Sequence, residues 1–417
     1  MMMTIIKHYI FKGGDMSGPF DGVRVLELTS TVSGPFAGMM LADQGAEVIK
    51  IEPPGIGDLA RFMGTVKDGM GAMFSTLNRN KKCICLDFKN EEDLEVLKKL
   101  VSTTDVLIEN YRPGIVKKLG IDYETLKEIS PDLIYCSISG YGQSGPYQEK
   151  KVYDPLIQGT VGIPYAQNSK SPELLRTIIY DKVTGMTSAQ AISAALYQKA
   201  KGEGGQYLPI SMMESALYYN WPDLMMNYTF EEGAINSGEL ADLFEVYETT
   251  DGGVIIIIIA NDEIFTKFCS LFNLTLHLEE KYNNVVSRIL NKESLTAEIN
   301  KITKQFSSKE LEVKMDFEGI SSSICNELNE VHKDPQVIQQ NSIVTIEHPE
   351  LGKMRMPVPA AKLKGQKKFP RSLAPVLGFD NRQVLSELEI EDDIITRMEE
   401  REKQNRLLIQ SMMDANS

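Results

Sequence analysis

The chain has 417 residues, of which 42% are hydrophobic and 24% are charged, as is ordinary for a globular protein. Its 44 Lys and Arg against 58 Asp and Glu give a net charge of −14, which argues against nucleic acid as a partner. A locally basic cleft for an anionic ligand remains compatible with that charge. The longest apolar run, GGVIIIIIA at 252–260, is too short to span a membrane and predicts a buried strand.

The spacing of the cysteines and histidines argues against a disulfide framework and against a metal site. The five cysteines include no C-x-x-C pair, and the four histidines lie far apart and match no zinc spacing. Scattered thiols of this kind favour a reducing, cytoplasmic location. We expect residues 1–17 to be a poorly ordered N-terminal extension, with Met16 as an alternative start to Met1.

From residue 23 onward, predicted strands alternate with helices. The predicted strands are VRVLEL (23–28), AEVIKIE (46–52), CICLDF (83–88), DVLIEN (105–110) and LIYCSISG (133–140), with helical stretches such as NEEDLEVLKKLVS between them. This alternation predicts an α/β fold with a parallel sheet that binds ligands at the carboxyl ends of its strands. No G-x-G-x-x-G follows the first strand, which disfavours a nicotinamide or flavin enzyme.

Asp181 lies at a predicted boundary between a strand and a helix. Thr177–Tyr180 has the composition of a short strand, and apolar residues return at helical spacing after Asp181. Aspartate is a favoured N-cap residue, so helix capping is the simpler interpretation of the residues alone. The alternative is a nucleophilic carboxylate that attacks an acyl centre and forms a mixed anhydride.

The pattern changes after residue 226. A hairpin is predicted at 245–258 with Asp251–Gly252 at its turn, followed by a charged helical region to about residue 318. HPELGKMRMPVPAAKL predicts a second pair of strands, and 386–410 predicts a C-terminal helix. We therefore predict a large α/β domain at 18–226, a small domain at 227–335 and a segment at 336–417 that returns to the large domain.

Several motifs in order resemble the class III CoA-transferase (CaiB/BaiF) family, whose members include formyl-CoA transferase, carnitine CoA-transferase and α-methylacyl-CoA racemase. They are FDGVRVLELTSTVSGPFAGMMLADQGAEVIKIEPPGIGDLAR, NRNKKCICLDFKN, DVLIENYRPGIVKKLG, YDPLIQG and YDKVTGMTSAQ, which together span most of the first 220 residues. The resemblance implies a Rossmann-like large domain that binds CoA, a smaller α/β domain, and a homodimer of interlocked chains. The stretches near 200–230 and 320–345 would allow the chain crossings.

The same resemblance implies that Asp181 is the nucleophile that moves CoA between an acyl-CoA thioester and a carboxylic acid, with no tightly bound cofactor. The positions that match the family's CoA contacts are Val32, Ser33, Leu86, Lys89, Asn110, Tyr111, Arg112, Lys118, Ser139, Gly140 and Tyr141. The three basic ones suit the CoA phosphates, although a solvated surface charge explains any single one equally well. Tyr153 and Asp154 are expected in the substrate pocket.

Tyr153 also separates two branches of the family. The racemases have a histidine where this chain has Tyr153, and a phenol with an ordinary pKa near ~10 is a poor base at neutral pH. The transferase is therefore favoured, with an acyl-CoA racemase or isomerase and a non-catalytic CoA-binding protein as alternatives. Pro53 replaces an arginine of formyl-CoA transferase, and that enzyme's glycine-rich loop over the aspartate has no evident counterpart here.

Overall fold

The computed structural model describes residues 18–414 apart from 234, 236, 237, 350 and 364–368, with side chains described as far as residue 407. The predicted N-terminal extension at 1–17, including Met16, lies outside the described residues. The chain forms two compact units. The first contains the described residues up to Tyr219 and those from Asn341 onward, and the second runs from Asn220 to Gln340, where the sequence suggests a small domain at 227–335.

A six-stranded parallel sheet forms the centre of the first unit. The strands up to residue 211 are β1 (Arg24–Leu28), β2 (Glu47–Glu52), β3 (Val66–Lys67), β4 (Met70–Gly71), β5 (Lys81–Cys85), β6 (Val106–Glu109), β7 (Ile134–Ser139) and β8 (Gln206–Ser211). The sheet order is β5-β2-β1-β6-β7-β8 with every pair parallel, while β3 and β4 form a short antiparallel pair. The parallel sheet predicted from the sequence is confirmed. Because the strand order reverses at β1, a switch point lies between β1 and β6.

Helices cover both faces of this sheet. The helices of the chain up to residue 220 are α1 (Ser33–Asp43), α2 (Ala72–Leu77), α3 (Glu91–Val101), α4 (Ile115–Lys118), α5 (Tyr123–Leu126), α6 (Asp154–Thr160), α7 (Ile163–Gln167), α8 (Ile179–Ala200) and α9 (Met212–Asn220), and only some of them pack on the sheet. Alternate strand residues serve the two faces, as the pleat requires. Leu26 and Leu107 join the core with α3, whereas Val25 and Val106 join the core with α1 and α8. The helices α1 and α8 therefore share one face.

The second unit has its own core around a three-stranded antiparallel sheet. Its strands are β9 (Val246–Glu248), β10 (Gly253–Ile256) and β11 (Ser322–Ile324), and its helices are α10 (Asp262–Leu271), α11 (Val285–Leu290), α12 (Lys292–Thr303), α13 (Ser308–Glu318) and α14 (Pro335–Gln339). The predicted hairpin is confirmed, since β9 pairs antiparallel with β10 across Asp251–Gly252. Residues 254, 256, 258 and 259 of the isoleucine-rich run are buried in this core.

The rest of the chain belongs to the first unit. It contains the antiparallel strands β12 (Ile343–His348) and β13 (Gly352–Pro357) and the helices α15 (Asn381–Glu387) and α16 (Asp392–Asp414), where the sequence predicts a strand pair and a helix. The side chains of Asp380 and Asn381 accept hydrogen bonds from the backbone N–H groups of Cys83 and Cys85, at 2.7 and 2.8 Å, and so cover the edge strand β5. In the described part of the chain, no helix combines the length and apolar character needed to cross a membrane.

Candidate active site

A cavity of about 310 Å³ opens at the carboxyl ends of β1, β6 and β7, at the switch point of the sheet. Three of its walls are the segments 30–33 after β1, 110–113 after β6 and 138–141 at the end of β7. Residues 150–153, Asp181, Leu59, Gln148 and Met212 also line it. Open parallel sheets bind ligands at this position, where loops and helix N-termini converge. We therefore take this cavity as the candidate active site.

Asp181 is the third residue of α8 rather than the residue before it. The helix begins at Ile179, so the predicted strand over Thr177–Tyr180 is wrong. A β-branched composition favours a strand only weakly, and tertiary contacts often override it. Here the free N–H groups in the first turn of α8 donate to an acceptor from a distant part of the chain, which stabilises the helix. The N-cap position is occupied by Ile178, whose side chain cannot cap the helix.

Asp154 from α6 supplies that acceptor. Its Oδ2 accepts hydrogen bonds from the N–H groups of Tyr180 at 2.5 Å and of Asp181 at 3.2 Å. The Asp154 side chain is buried and also accepts from Nε2 of Gln158 at 2.7 Å. Because another carboxylate satisfies the first turn of α8, the carboxylate of Asp181 is not needed as a cap and stays available to a substrate.

The carboxylate of Asp181 faces the N-terminus of α1. The backbone N–H and the hydroxyl of Ser33, the first residue of α1, both donate hydrogen bonds to it. This contact requires a close approach of α1 and α8, and Gly185 permits it. A Cβ at Gly185 would lie 2.7 Å from the carbonyl oxygen of Ser33 and 2.9 Å from Cβ of Phe36. The absence of a side chain at Gly185, one turn after Asp181, thus allows Ser33 to approach the carboxylate.

The pKa of the Asp181 carboxyl reflects opposing influences. Burial raises this pKa to about 6, and the charge of Asp154 adds to the rise. The two hydrogen bonds from Ser33 and the charge of Lys182 lower it in part. The N-termini of α1 and α8 both favour the anion. The carboxylate is therefore ionised at neutral pH while it is half-buried, which suits a nucleophile.

The loop between β1 and α1 adopts a strained conformation. Thr31 has a φ of 70°, in the left-handed region that β-branched residues rarely adopt. Its N–H donates to Oδ1 of Asp58 at 2.9 Å. The neighbouring Ser30 exchanges two hydrogen bonds with the side chain of Asn110, at 3.0 and 2.9 Å. Contacts from two other strand ends therefore hold this wall of the cavity.

A buried network of charges lies beneath the same loop. Nζ of Lys50 is 3.0 Å from Oε1 of Glu27 and 2.9 Å from Oδ2 of Asp58, and it donates to the carbonyl oxygen of Thr29 at 2.8 Å. Nζ of Lys81 is 2.7 Å from Oε2 of Glu27. Burial opposes ionisation of Glu27, but the two ammonium groups outweigh it and hold the pKa of Glu27 below its usual value. Burial also lowers the pKa of Lys81 to about 8.

Most of the residues singled out in the sequence line the cavity. They are Val32, Ser33, Asn110, Tyr111, Arg112, Ser139, Gly140, Tyr141, Tyr153 and Asp181. Four others do not. Leu86 is buried in the core on one face of the sheet, Lys89 and Lys118 are exposed at the surface, and Asp154 lies behind Asp181 as the cap of α8. A role in CoA binding for the first three stays a prediction.

Sequence reasoning missed five polar residues that line the cavity, namely Ser30, Thr31, Gln148, Lys150 and Lys151. The two lysines stand shortly before Tyr153 in the sequence, and this adjacency was the available signal. The hydroxyl oxygen of Tyr141 is buried and has no hydrogen-bond partner among the described residues. Since buried polar groups are normally paired, this hydroxyl is suited to contact a ligand in the cavity.

The model of the family described as CoA-transferase family III matches residues 20–381, which include every residue of the cavity. The chain belongs to CoA-transferase family III. It is accordingly an enzyme of the CoA-transferase class, whose members act on CoA thioesters.

Proteins of this family are similar to the chain over most of its length. The human succinyl-CoA:glutarate CoA-transferase is 30% identical over 384 residues, which cover 90% of this chain and 87% of that enzyme. The acetyl-CoA:oxalate CoA-transferase of Acetobacter aceti is 31% identical over 356 residues, 84% of this chain and 90% of that enzyme. The crystal structure of a CaiB/BaiF family protein from Brucella suis superimposes with a TM-score of 0.78 at 30% identity, covering 89% of this chain and 100% of that chain. The mixed α/β fold with its parallel sheet is thus that of a CaiB/BaiF structure.

Proposed function

We propose that this family III CoA-transferase moves CoA between an acyl-CoA thioester and a carboxylic acid through covalent intermediates on Asp181. The observation that supports this most directly is the environment of Asp181. Its carboxylate lies in the first turn of α8 beside the cavity at the strand ends, accepts two hydrogen bonds from Ser33, and is freed from capping by Asp154.

The first half of the proposed reaction forms two intermediates. A carboxylate oxygen of Asp181 attacks the thioester carbonyl carbon, the C–S bond breaks, and the CoA thiolate leaves a mixed anhydride on the enzyme. The thiolate then attacks the aspartyl carbonyl carbon, which releases the donor's carboxylate and leaves CoA bound to Asp181 as a thioester. The two donors of Ser33 at the N-terminus of α1 are placed to stabilise negative charge on the aspartyl oxygens during both exchanges.

The second half repeats the same exchanges with the acceptor. The acceptor carboxylate attacks the aspartyl thioester and expels the thiolate, which forms a second mixed anhydride. The thiolate then attacks the acyl carbon of the acceptor and restores the free carboxylate of Asp181. No proton is gained or lost, and CoA thioester is the only cofactor-like group required.

The basic side chains at the cavity suit the phosphates of CoA. Arg112 offers a planar guanidinium, and Lys150 and Lys151 offer two ammonium groups on an adjacent wall. The unpartnered hydroxyl of Tyr141 is placed to bond the pantetheine or the thioester. The strand order, in which each half of the sheet extends outward from β1 and β6, supports a Rossmann-like description of this unit.

We also propose that the enzyme is an interlocked homodimer. Large aromatic side chains are exposed around residues 218–230, with Tyr218 86% and Phe230 74% exposed in the single chain. Exposed aromatic groups of this size are typical of interfaces. Interlocked chains cannot separate without unfolding, so dilution should release no folded, active monomer in sedimentation measurements.

The test of the nucleophile is Asp181→Ala, compared with Asp132→Asn. Asp132 is an exposed aspartate just before β7, at the opposite edge of the sheet. Asp181→Ala should abolish transfer and leave the fold and CoA binding intact, whereas Asp132→Asn should behave as the wild type. Incubation of wild-type enzyme with an acyl-CoA donor and hydroxylamine should convert the Asp181 carboxyl to a hydroxamate, detectable by peptide mass. Substantial residual transfer in Asp181→Ala would refute the assignment.

The racemase alternative is tested separately. Tyr153, at the position where the racemases have a histidine, is 73% exposed on the cavity wall in the single chain. Enzyme incubated with a 2-methylacyl-CoA in deuterated water should transfer CoA without incorporating deuterium at the α-carbon. Rapid incorporation, measured by mass spectrometry, would favour the racemase instead.

A further inference from the structure

A second and larger cavity of about 610 Å³ adjoins the first. It is enclosed by α1, α2, the start of α8 and the segment 357–361 after β13. Val32 lines both cavities, and α8 contributes Asp181 to the first and its neighbour Lys182 to the second. Val32 and the first turn of α8 thus lie between the two cavities, next to Asp181.

The lining of this second cavity is mainly hydrocarbon and thioether. Val32, Met39 and Leu77 form a buried cluster there, and Met73 packs against it. Met186 extends the apolar surface along α8 and is half exposed. Methionine side chains are flexible and polarisable, so they adapt to apolar groups of different length.

Arg79 and Asp43, two of the charged groups on this wall, are paired with each other. The guanidinium of Arg79 donates to the two carboxylate oxygens of Asp43 at 3.1 and 2.6 Å and to the carbonyl oxygen of Thr76 at 2.7 Å. Nζ of Lys182 donates to Oγ1 of Thr177 at 2.8 Å. A second carboxylate on a substrate would have to compete with Asp43 for the guanidinium of Arg79, and a buried pair of this kind is costly to disrupt.

We propose that the second cavity is the acyl-chain subsite of the transferase and that it takes an uncharged, straight hydrocarbon chain. This inference rests on the proposed function, because the chain reaches the cavity from an acyl carbon bonded to Asp181. The substrates that the names of the similar enzymes give, such as glutarate and oxalate, carry two carboxylates. The apolar lining assigns a different acyl class to this chain.

The first experiment uses the wild-type enzyme and needs no variant. With isotopically labelled acetate as the acceptor, which makes the exchange from acetyl-CoA visible as well, we would measure kcat/KM for straight-chain acyl-CoA donors from acetyl to octanoyl and for succinyl- and glutaryl-CoA. Each added methylene should raise kcat/KM about fourfold, from the free energy of burying one methylene, until the cavity is filled. A flat or falling series in which succinyl- or glutaryl-CoA is the best donor would overturn the inference.

The second experiment fills the cavity. Met73→Trp should lower the ratio of kcat/KM for hexanoyl-CoA to that for acetyl-CoA by about tenfold, because the indole occupies the space for the chain. Met354→Trp is the matched control, since Met354 is a half-buried methionine of β13 that lines neither cavity. An unchanged ratio in a folded Met73→Trp enzyme would contradict the subsite.

Hydroxylamine trapping distinguishes a failure of the acyl subsite from a failure of the proposed function. If acetyl-CoA labels Asp181 but the chain-length series is flat, the acyl subsite is wrong and the proposed function stands. If no donor labels Asp181, the proposed function fails first. Met73→Trp should still be labelled by acetyl-CoA, which shows that its defect lies in the accommodation of the chain.

Discussion

The loop between β1 and α1 and the first turn of α8 face the same cavity, yet they are held in different ways. The loop passes through Thr31 at a φ of 70° and is anchored by Asp58, which belongs to a buried network of charges. The first turn of α8 has ordinary helical geometry and is held by one carboxylate, that of Asp154. A residue in a sparsely populated conformation costs on the order of 1–3 kcal/mol and persists only where several contacts enforce it.

Substitutions that weaken the loop between β1 and α1 should therefore have different consequences from substitutions that weaken the first turn of α8. Removal of Asp58, an anchor of the loop, also leaves Lys50 and Lys81 with Glu27 as their one carboxylate partner in the network, so the damage should spread through the whole unit. Removal of the helix cap frees two N–H groups at one helix end, so the damage should stay local and reach Asp181 first.

Asp58→Ala should have the largest effect on stability. The variant removes one of the two carboxylates that pair with Lys50, and it leaves the N–H groups of Thr31 and Ala60 without their acceptor. We expect the free energy of unfolding to fall by about 3–5 kcal/mol, which is typical of a broken buried ion pair. Denaturant titration followed by circular dichroism measures this loss.

Asp58→Asn is the companion variant. It keeps a side-chain oxygen for the two N–H groups but removes the charge, so its loss of stability should be smaller than that of Asp58→Ala. If both variants unfold at the same denaturant concentration as the wild type, the network is not the anchor of the loop.

Asp154→Ala should weaken activity more than stability. Loss of a helix cap costs about 1–2 kcal/mol of unfolding free energy. A shift of the first turn of α8 by ~1 Å would displace Asp181 and lower kcat/KM by about a hundredfold. Asp154→Asn retains an oxygen that can cap the helix, so it should recover most of the activity. Equal activities of the alanine and asparagine variants would show that Asp154 does not position Asp181.

Gly185→Ala tests the contact between the two walls directly. The added methyl group would lie 2.7 Å from the carbonyl oxygen of Ser33, so α1 and α8 must separate and Ser33 must withdraw from Asp181. We expect kcat/KM to fall by roughly tenfold, because the donors of Ser33 would then stabilise negative charge on Asp181 less well. Gly159→Ala is the matched control, because a Cβ there meets nothing within 4 Å on α6 and should leave activity unchanged.

The sequence predicted the elements that depend on local pattern and failed where distant residues decide. The strands of the parallel sheet were predictable because each is a short, largely apolar run in the sequence, such as residues 134–139, and all six residues of that strand are buried. The start of α8 was mispredicted because its cap, Asp154, lies 26 residues before Tyr180. The conformation of Thr31 likewise depends on Asp58, 27 residues away. No local rule relates such pairs.

The candidate site was predictable only in part, for a related reason. From the residues alone Asp181 was more simply a helix cap, and the resemblance to a family pointed to it as the nucleophile. The structure adds that the capping role belongs to Asp154. The resemblance also has its limits. Leu86 matches a position where the family contacts CoA, but its side chain is buried in the hydrophobic core on one face of the sheet.

Ser33→Ala should produce the smallest effect, a shift in the pH dependence of transfer. Burial raises the pKa of Asp181 from 3.8 to about 6, and the Ser33 hydroxyl bond acts in the opposite direction. Attack requires the ionised carboxylate, so kcat/KM of the wild type should rise with pH along a limb centred near pH 6. Removal of the hydroxyl should raise this pKa and move the limb to higher pH by less than ~1 unit, because the backbone N–H of Ser33 remains. The same raised pKa means that ionisation of Asp181 opposes folding, so its contribution to stability falls as the pH rises from about 4 through 6.

Profiles of kcat/KM against pH for Ser33→Ala and for Ser193→Ala provide the measurement and its control. The hydroxyl of Ser193 donates to the carbonyl oxygen of Ala189 within α8. A limb that moves to lower pH, or that moves equally in both variants, would contradict the role assigned to Ser33.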